Sequence, residues 1–288
     1  MTALVCFTGP IMTQLMETAP DSVTPIPINR YNFDDVMNGI EKSLDHERLI
    51  FVMGDLKMTM ALFRIVPPQY FKEFKHVIMI FADSMKPQWN KPLHQLAMFA
   101  NQVVLMDRYT GDKQKKIIRD VYLPIHKKHW YNGEKKDVGL SFYGSTKIYP
   151  ERKEVIEFLK GAGVDIVYGG GEENQFPLDM MHELRRSKIT LNFGNCLSGS
   201  QHDRKKFQIK GRIWEAMMAK AVVIEPRNPE TAKLFTSDEI MWYDDMKEIP
   251  AMVDMLLHDH AFRDYMAENA YQKAKKYADP EYYWGKLL

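Results

Sequence analysis

Two stretches of the 288-residue chain concentrate side chains and glycines able to hold a charged, hydroxyl-bearing ligand. In the first, an apolar run from Val138 to Tyr143 ends in Gly144-Ser145, a turn that lets backbone amides face a ligand. Arg152 opens the helical segment that follows, near where an anion would sit. A second apolar run leads into Gly169, Gly170 and Gly171. Those glycines permit close backbone approach to a flat or charged ligand, and an ordinary β-to-α turn is the alternative that composition leaves open. The pattern is neither a GxGxxG nor a Walker loop. In the second stretch, a strand ending at Phe193 gives way to a long polar loop, and Lys210-Gly211-Arg212 then opens a helix that carries Glu215. Cations at a helix start suit a diphosphate, because they neutralise its charge while the first N–H groups donate to its oxygens. A carboxylate one turn further can accept two hydrogen bonds from ribose hydroxyls. For Glu215 the competing reading is an ion pair with Arg212, three positions away on one helix face.

The first half offers carboxylates of another kind. Gly54-Asp55 ends one apolar run and Asp83 ends another, VIMIFAD, so both aspartates belong at the carboxyl ends of strands. A carboxylate there is able to act as general base toward a hydroxyl, and a helix-capping Asp at a strand-to-helix turn is the structural alternative. His126 and His129 could touch a phosphate or stand as plain surface residues.

These residues need a scaffold, and the apolar pattern specifies one. Short Val-, Ile- and Phe-rich runs alternate with segments of helical periodicity, the signature of parallel sheets covered by helices. Strands are expected at 3–7, 23–28, 49–53, 77–81 and 103–106, and again at 138–143, 164–168, 189–193, 221–224 and 240–243. Pro25 and Pro27 confine the second of these to a sheet edge. Helices are expected at 33–45, 92–100, 151–160, 177–186, 209–219, 249–258 and 261–277, the last stopping at Pro280 before an aromatic tail that packs back onto the body. The polar segment 126–137, with Asn132-Gly133, reads as a linker between domains 1–133 and 134–288.

Composition narrows the function. No stretch approaches the roughly 18 apolar residues of a membrane span, and the N-terminus reads as a first strand without a basic region or cleavage site, so a cytoplasmic location is expected. Two cysteines, Cys6 and Cys196, are too few for a disulfide framework or a thiolate zinc cage, and no metal-ligand spacing is present. A formal charge of +1 argues against a strongly basic nucleic-acid groove. The local cluster Lys113, Lys115, Lys116, Arg119, Lys127 and Lys128 would nevertheless suit DNA phosphates, a solvated surface being the other account of it.

The run GRIWEAMMAKAVVIEPRNPETAKLF resembles the C-terminal domain of group 1 glycosyltransferases, and DVGLSFYGSTKIYPERKEVIEFL resembles the start of that domain in their spore-maturation-like branch. The resemblance covers most of 137–275; before that it is topological. It implies a GT-B fold, two Rossmann-like parallel-sheet α/β domains facing each other across a cleft. It implies transfer of a sugar from a nucleotide sugar, the donor substrate, with no cofactor or metal. Gly144, Ser145, Arg152 and Gly169 would then line the donor site, Lys210 and Arg212 would hold the diphosphate, and Glu215 the ribose. Asp83 and Asp55 are the candidate bases of the acceptor side. Many relatives carry a further glutamate eight positions before the helical one. Here that position is Phe207, with Asp203, Arg204 and Gln208 as nearby substitutes. The departure keeps two further readings in view, a sugar-nucleotide epimerase and a non-catalytic sugar-nucleotide or glycan binder. The acceptor is expected to be soluble: a small molecule, a glycan, a protein or a hydroxylated base in viral DNA. The oligomeric state is not specified by the sequence.

Overall fold

The computed structural model describes residues 1–7, 10–28, 33–53, 66, 68–82, 98–110, 116–147, 149–170, 179–198 and 201–288. The chain divides into two compact units, Met1–His126 with Cys196–Lys206 and Tyr277–Leu288, and Lys127–Asn195 with Phe207–Lys276.

In the first unit, strands β1 (Thr2–Phe7), β2 (Val23–Ile28), β3 (Arg48–Met53), β4 (His76–Phe81), β5 (Gln102–Leu105) and β6 (Ile117–Ile118) form one sheet in the order β2-β1-β3-β4-β5-β6. Every pairing in it is parallel. Parallel strands are covered on both faces, which is why they read as unbroken apolar runs: Leu49, Ile50, Phe51 and Val52 are all buried. β2 lies at the edge that its prolines require, because an edge strand can leave one side without N–H donors. Helices α1 (Pro10–Thr18) and α2 (Phe33–Ser43) follow β1 and β2. On α2, Gly39 allows close approach, since a Cβ there would stand 3.1 Å from Ile28 Cγ1.

In the second unit, β7 (Val138–Tyr143), β8 (Val167–Gly169), β9 (Ser187–Leu191), β12 (Val222–Pro226) and β13 (Ile240–Tyr243) form a parallel sheet in the order β13-β12-β9-β7-β8. Helices α3 (Pro150–Gly161), α4 (Met180–Arg186), α5 (Gly211–Met218), α6 (Ile249–His258) and α7 (His260–Tyr277) complete it. Both sheets thus have the doubly wound order in which the second strand is placed outside the first and the third on the other side.

Some expectations change. The polar loop before α5 contains a hairpin, β10 (Asn195–Ser198) with β11 (Gln201–Phe207). α4 starts at Met180, three residues later than the apolar period suggests, with Asp179 as its N-cap accepting from His182 N at 2.9 Å. The helix expected at 92–100 falls mostly outside the described residues. The aromatic tail is itself helical: Pro280 occupies the first turn of α8 (Pro280–Leu287), capped by Asp279, because a helix start has no use for the missing N–H. Tyr283, Trp284 and Leu287 are buried, and Trp284 Nε1 donates to Thr18 Oγ1 at 3.3 Å within the first unit.

The segment before β7 is tied to the second unit by Lys136. Its Nζ donates to the carbonyls of Arg185 (3.1 Å), Ser187 (2.7 Å) and Ala219 (2.9 Å), at the C-terminal ends of α4 and α5. Three acceptors take three protons, so the geometry holds the ammonium form at ends of helices that favour a cation. Burial, followed by the charge of Arg263, opposes this and pulls its pKa down to about 7. Beside it, Tyr131 N donates to Met218 O at 2.9 Å. The C-terminal end of α5 is therefore fixed from two sides.

Candidate functional site

Within the second unit, strand order reverses between β7 and β9: the chain leaves β7 for β8 on one side and then returns to β9 on the other. Loops that depart in opposite directions leave a crevice at the carboxyl ends of those strands, where open α/β sheets bind ligands. Gly144-Ser145 follows β7, Asn192 to Gly194 follow β9, and α5 begins after them in the sequence.

The β7 turn is closely built. Gly144 N donates to Gly169 O at 3.0 Å, and a Cβ on Gly144 would stand 2.6 Å from the Phe142 ring and 3.3 Å from Arg152 Nη1. Glycine is thus required by packing. Arg152 Nη1 donates to Ser145 O at 3.0 Å, and its guanidinium lies 3.6 Å from the centre of the Tyr149 ring. Lys210 Nζ stands 5.7 Å from the centre of the same ring, so Tyr149 gathers both cations. Burial pulls the Arg152 pKa down to about 10, with Tyr149 and Glu151 opposing and the Arg212 charge adding to the fall. Arg152 stays charged at neutral pH. Its buried Nε has no hydrogen-bond partner among the described residues.

α5 starts without a side-chain N-cap. One turn in, Arg212 Nε lies 3.0 Å from Glu215 Oε2, and Arg212 Nη1 contacts Met180 Sδ at the start of α4. The ion pair that the sequence offered as the alternative for Glu215 is formed. Glu215 is buried while Arg212 is half-buried, so the carboxylate is held in place at the turn that carries the cations.

Behind this lies a buried polar group at the end of β12. Glu225 is fully buried, and its Oε2 accepts from Asn192 Nδ2 at 2.7 Å. Oε1 accepts from Trp242 Nε1 at 3.2 Å and is hydrogen-bonded to Thr231 Oγ1. Burial raises the Glu225 pKa to about 7, against the three hydrogen bonds, which lower it. Asn228, equally buried, donates from Nδ2 to Gln208 O at 3.2 Å, and Gln208 N donates to Gly194 O at 2.7 Å. Gly194 makes room: a Cβ there would stand 2.3 Å from Asn228 Nδ2.

Residues 147–288 match the family model described as glycosyl transferase-like. Through these residues the chain is similar to the glycosyl transferase-like family. It is a glycosyltransferase, and its fold is GT-B. No curated protein sequence matches it. The fold is similar to that of HepE from Anabaena in complex with UDP and glucose, with TM-score 0.65 and 10% identity over 99% of this chain and 97% of that one. It is similar to an alpha-glucosyltransferase in complex with UDP and a DNA 13-mer, with TM-score 0.62 and 12% identity over 99% and 97%. A pneumococcal O-GlcNAc transferase, GtfA, in complex with UDP and GlcNAc, matches with TM-score 0.57 and 11% identity over 88% of this chain and 59% of that one.

In this glycosyltransferase, Gly144, Ser145, Arg152 and Gly169 are joined by direct contacts, as are Arg212 and Glu215. Lys210 joins Arg152 through Tyr149, and Arg212 meets Arg152 electrostatically. Arg204 falls on β11, and its side chain is outside the described residues, as are Asp55 and Asp83. The strands before those aspartates, β3 and β4, are parallel neighbours. Among the described residues no three His, Cys, Asp or Glu converge on a metal position, and no helix is long and apolar enough to cross a membrane. Sequence reasoning missed Tyr149, Asn192, Glu225 and Asn228. The one available signal was Glu225 itself, a carboxylate inside the apolar run AVVIEP.

Proposed function

We propose that the chain transfers a sugar from a nucleoside diphosphate sugar, of the uridine type, to a soluble acceptor. The observation that carries this reading is the gathering of Arg152, Lys210 and Arg212 with Glu215 at the strand-order reversal of the second unit. Three cations against the carboxylates of Glu215 and Glu151 leave the cluster suited to a diphosphate, and HepE, the alpha-glucosyltransferase and GtfA were each solved with UDP. Lys210 and Arg212 would take the charge that develops on the leaving diphosphate. Glu215 would exchange part of its pairing with Arg212 for two ribose hydroxyls. Asp83, or Asp55, would accept the proton of the acceptor hydroxyl.

Glu215→Ala is expected to weaken UDP binding about tenfold or more, the size of one or two lost hydrogen bonds to a charged group, with the protein still folded. Titration calorimetry with UDP reads this directly, and an unchanged affinity would remove Glu215 from the ribose site.

Among soluble acceptors, a hydroxylated base in DNA has a specific observation in its favour: the basic run Lys113, Lys115, Lys116, Arg119, Lys127 and Lys128, in a chain whose fold is similar to an alpha-glucosyltransferase solved with DNA. Retention on duplex DNA that falls steeply with salt supports this acceptor. Salt-independent or absent retention shifts the choice to a glycan, a protein or a small molecule. The cytoplasm is the compartment this reading assigns.

A further inference from the structure

Thr231 has one hydroxyl hydrogen and two acceptors for it. Its Oγ1 is hydrogen-bonded to Glu225 Oε1 and stands 3.1 Å from Asn228 O. If Glu225 is ionised, the hydroxyl hydrogen is drawn to the carboxylate and the Asn228 carbonyl loses it. If Glu225 is protonated on Oε1, the carboxylic acid donates to Thr231, and the hydroxyl is then directed to Asn228 O. Trp242 is an obligate donor, and Asn192 donates from Nδ2 in the orientation observed, so both serve either form when the proton is on Oε1. The charge state of one buried carboxyl group thus sets the direction of a hydrogen-bond chain.

That chain leads to the nucleotide-binding end of α5. Asn228 turns back from the β12 loop to hold Gln208 O, Gln208 holds Gly194 at the end of the β9 loop, and Gln208 stands two residues before Lys210. Asn228 Oδ1 also accepts Glu230 N at 2.9 Å, closing the loop on itself. We propose that Glu225 is the positioning residue of the nucleotide site, and that as a neutral acid it directs Thr231 onto Asn228 and so fixes the backbone that presents Lys210 and Arg212. The proposal rests on the reading of that site as the donor site.

Among the described residues, the groups facing Glu225 contain no compensating cation. On β13, Tyr243 is buried and pushed above its ordinary range by burial, then by the Glu225 and Glu151 carboxylates. Glu151 belongs to α3. Flanking the loop, Arg227 pairs with Asp244 and Glu230 with Lys233. Since burial raises the Glu225 pKa from 4.5 to about 7, the folded chain holds a proton that the unfolded chain releases in this window. Stability therefore falls as pH rises from 4.5 toward 7, and ionisation loosens the loop above that.

Trp242 reports on the carboxyl group directly. With tryptophan labelled on the indole nitrogen, the chain gives five indole resonances, and Trp242→Phe identifies the one from Trp242. In the wild type that resonance is expected to titrate with a midpoint near neutrality, and in Glu225→Gln, which keeps the shape but not the proton, to stay fixed. UDP affinity is then measured by calorimetry from about pH 5.5 to about pH 8.5 in both proteins. UDP itself titrates in this range, so the ratio of the two affinities is the readout. That ratio is expected to change about tenfold across the range, following the indole midpoint, as a single linked proton allows. A flat Trp242 resonance, or one that still titrates in Glu225→Gln, overturns the proton chain. A titrating resonance with a constant affinity ratio overturns the positioning role. If the wild type does not bind UDP at any pH while Trp242 titrates, the positioning role falls because the donor reading has failed, and the intact indole titration identifies that cause.

Discussion

Asp83→Asn lowers turnover by about 100-fold while leaving donor affinity unchanged, the expected cost of losing a general base that does not touch the nucleotide. In the sequence Asp83 follows β4 and Asp55 follows β3, and those two strands are buried parallel neighbours. Asparagine has nearly the volume of aspartate and caps a helix about as well, which separates the two roles of this residue. A cap leaves turnover near wild type, and that outcome moves the base to Asp55 or to the leaving phosphate. Single-turnover rates with a saturating donor, read beside UDP affinity by calorimetry, distinguish the two.

Lys136→Met is expected to lower the stability of the second unit by about 4 kcal/mol, because three carbonyls at the ends of two helices lose a charged donor and the site is too enclosed for water to replace it easily. Methionine keeps the length and volume of the stem, so the loss is polar and not a cavity. Urea unfolding monitored in both proteins measures it. A difference below about 1 kcal/mol would mean that the carbonyls find other partners and that this lysine is dispensable. Since Ala219 O ends α5, the same variant should also weaken UDP binding through the helix whose other end carries Lys210 and Arg212.

Much of this architecture is legible in the sequence. Runs such as LIFVM and HVIMIF, apolar on both faces, read as buried parallel strands, and Pro25 with Pro27 places β2 at an edge. The cluster proposed to face the nucleotide is legible as a cluster for a similar reason: Gly144, Arg152, Lys210 and Glu215 lie at strand ends and helix starts, and those places are marked by local sequence. Glu225 and Asn228 are not legible, because their roles depend on contacts between β9, β12 and the loop before α5, which are distant in the chain. The hairpin β10-β11 is hidden by its composition, since NCLSGSQHDRKKF has the polarity of a loop and no apolar alternation. Phe207, at the position where the family resemblance leads one to expect a glutamate, is the last residue of β11.

The central claim is that this glycosyltransferase uses a nucleotide sugar of the uridine type, and its most direct test is the release of nucleoside diphosphate from a panel of nucleotide sugars. With no acceptor present, slow release of UDP from at least one UDP-sugar is predicted, reduced in Arg212→Ala and in Glu215→Ala. UDP-sugar binding without release, or conversion to an epimeric nucleotide sugar without transfer when acceptors are supplied, would contradict it.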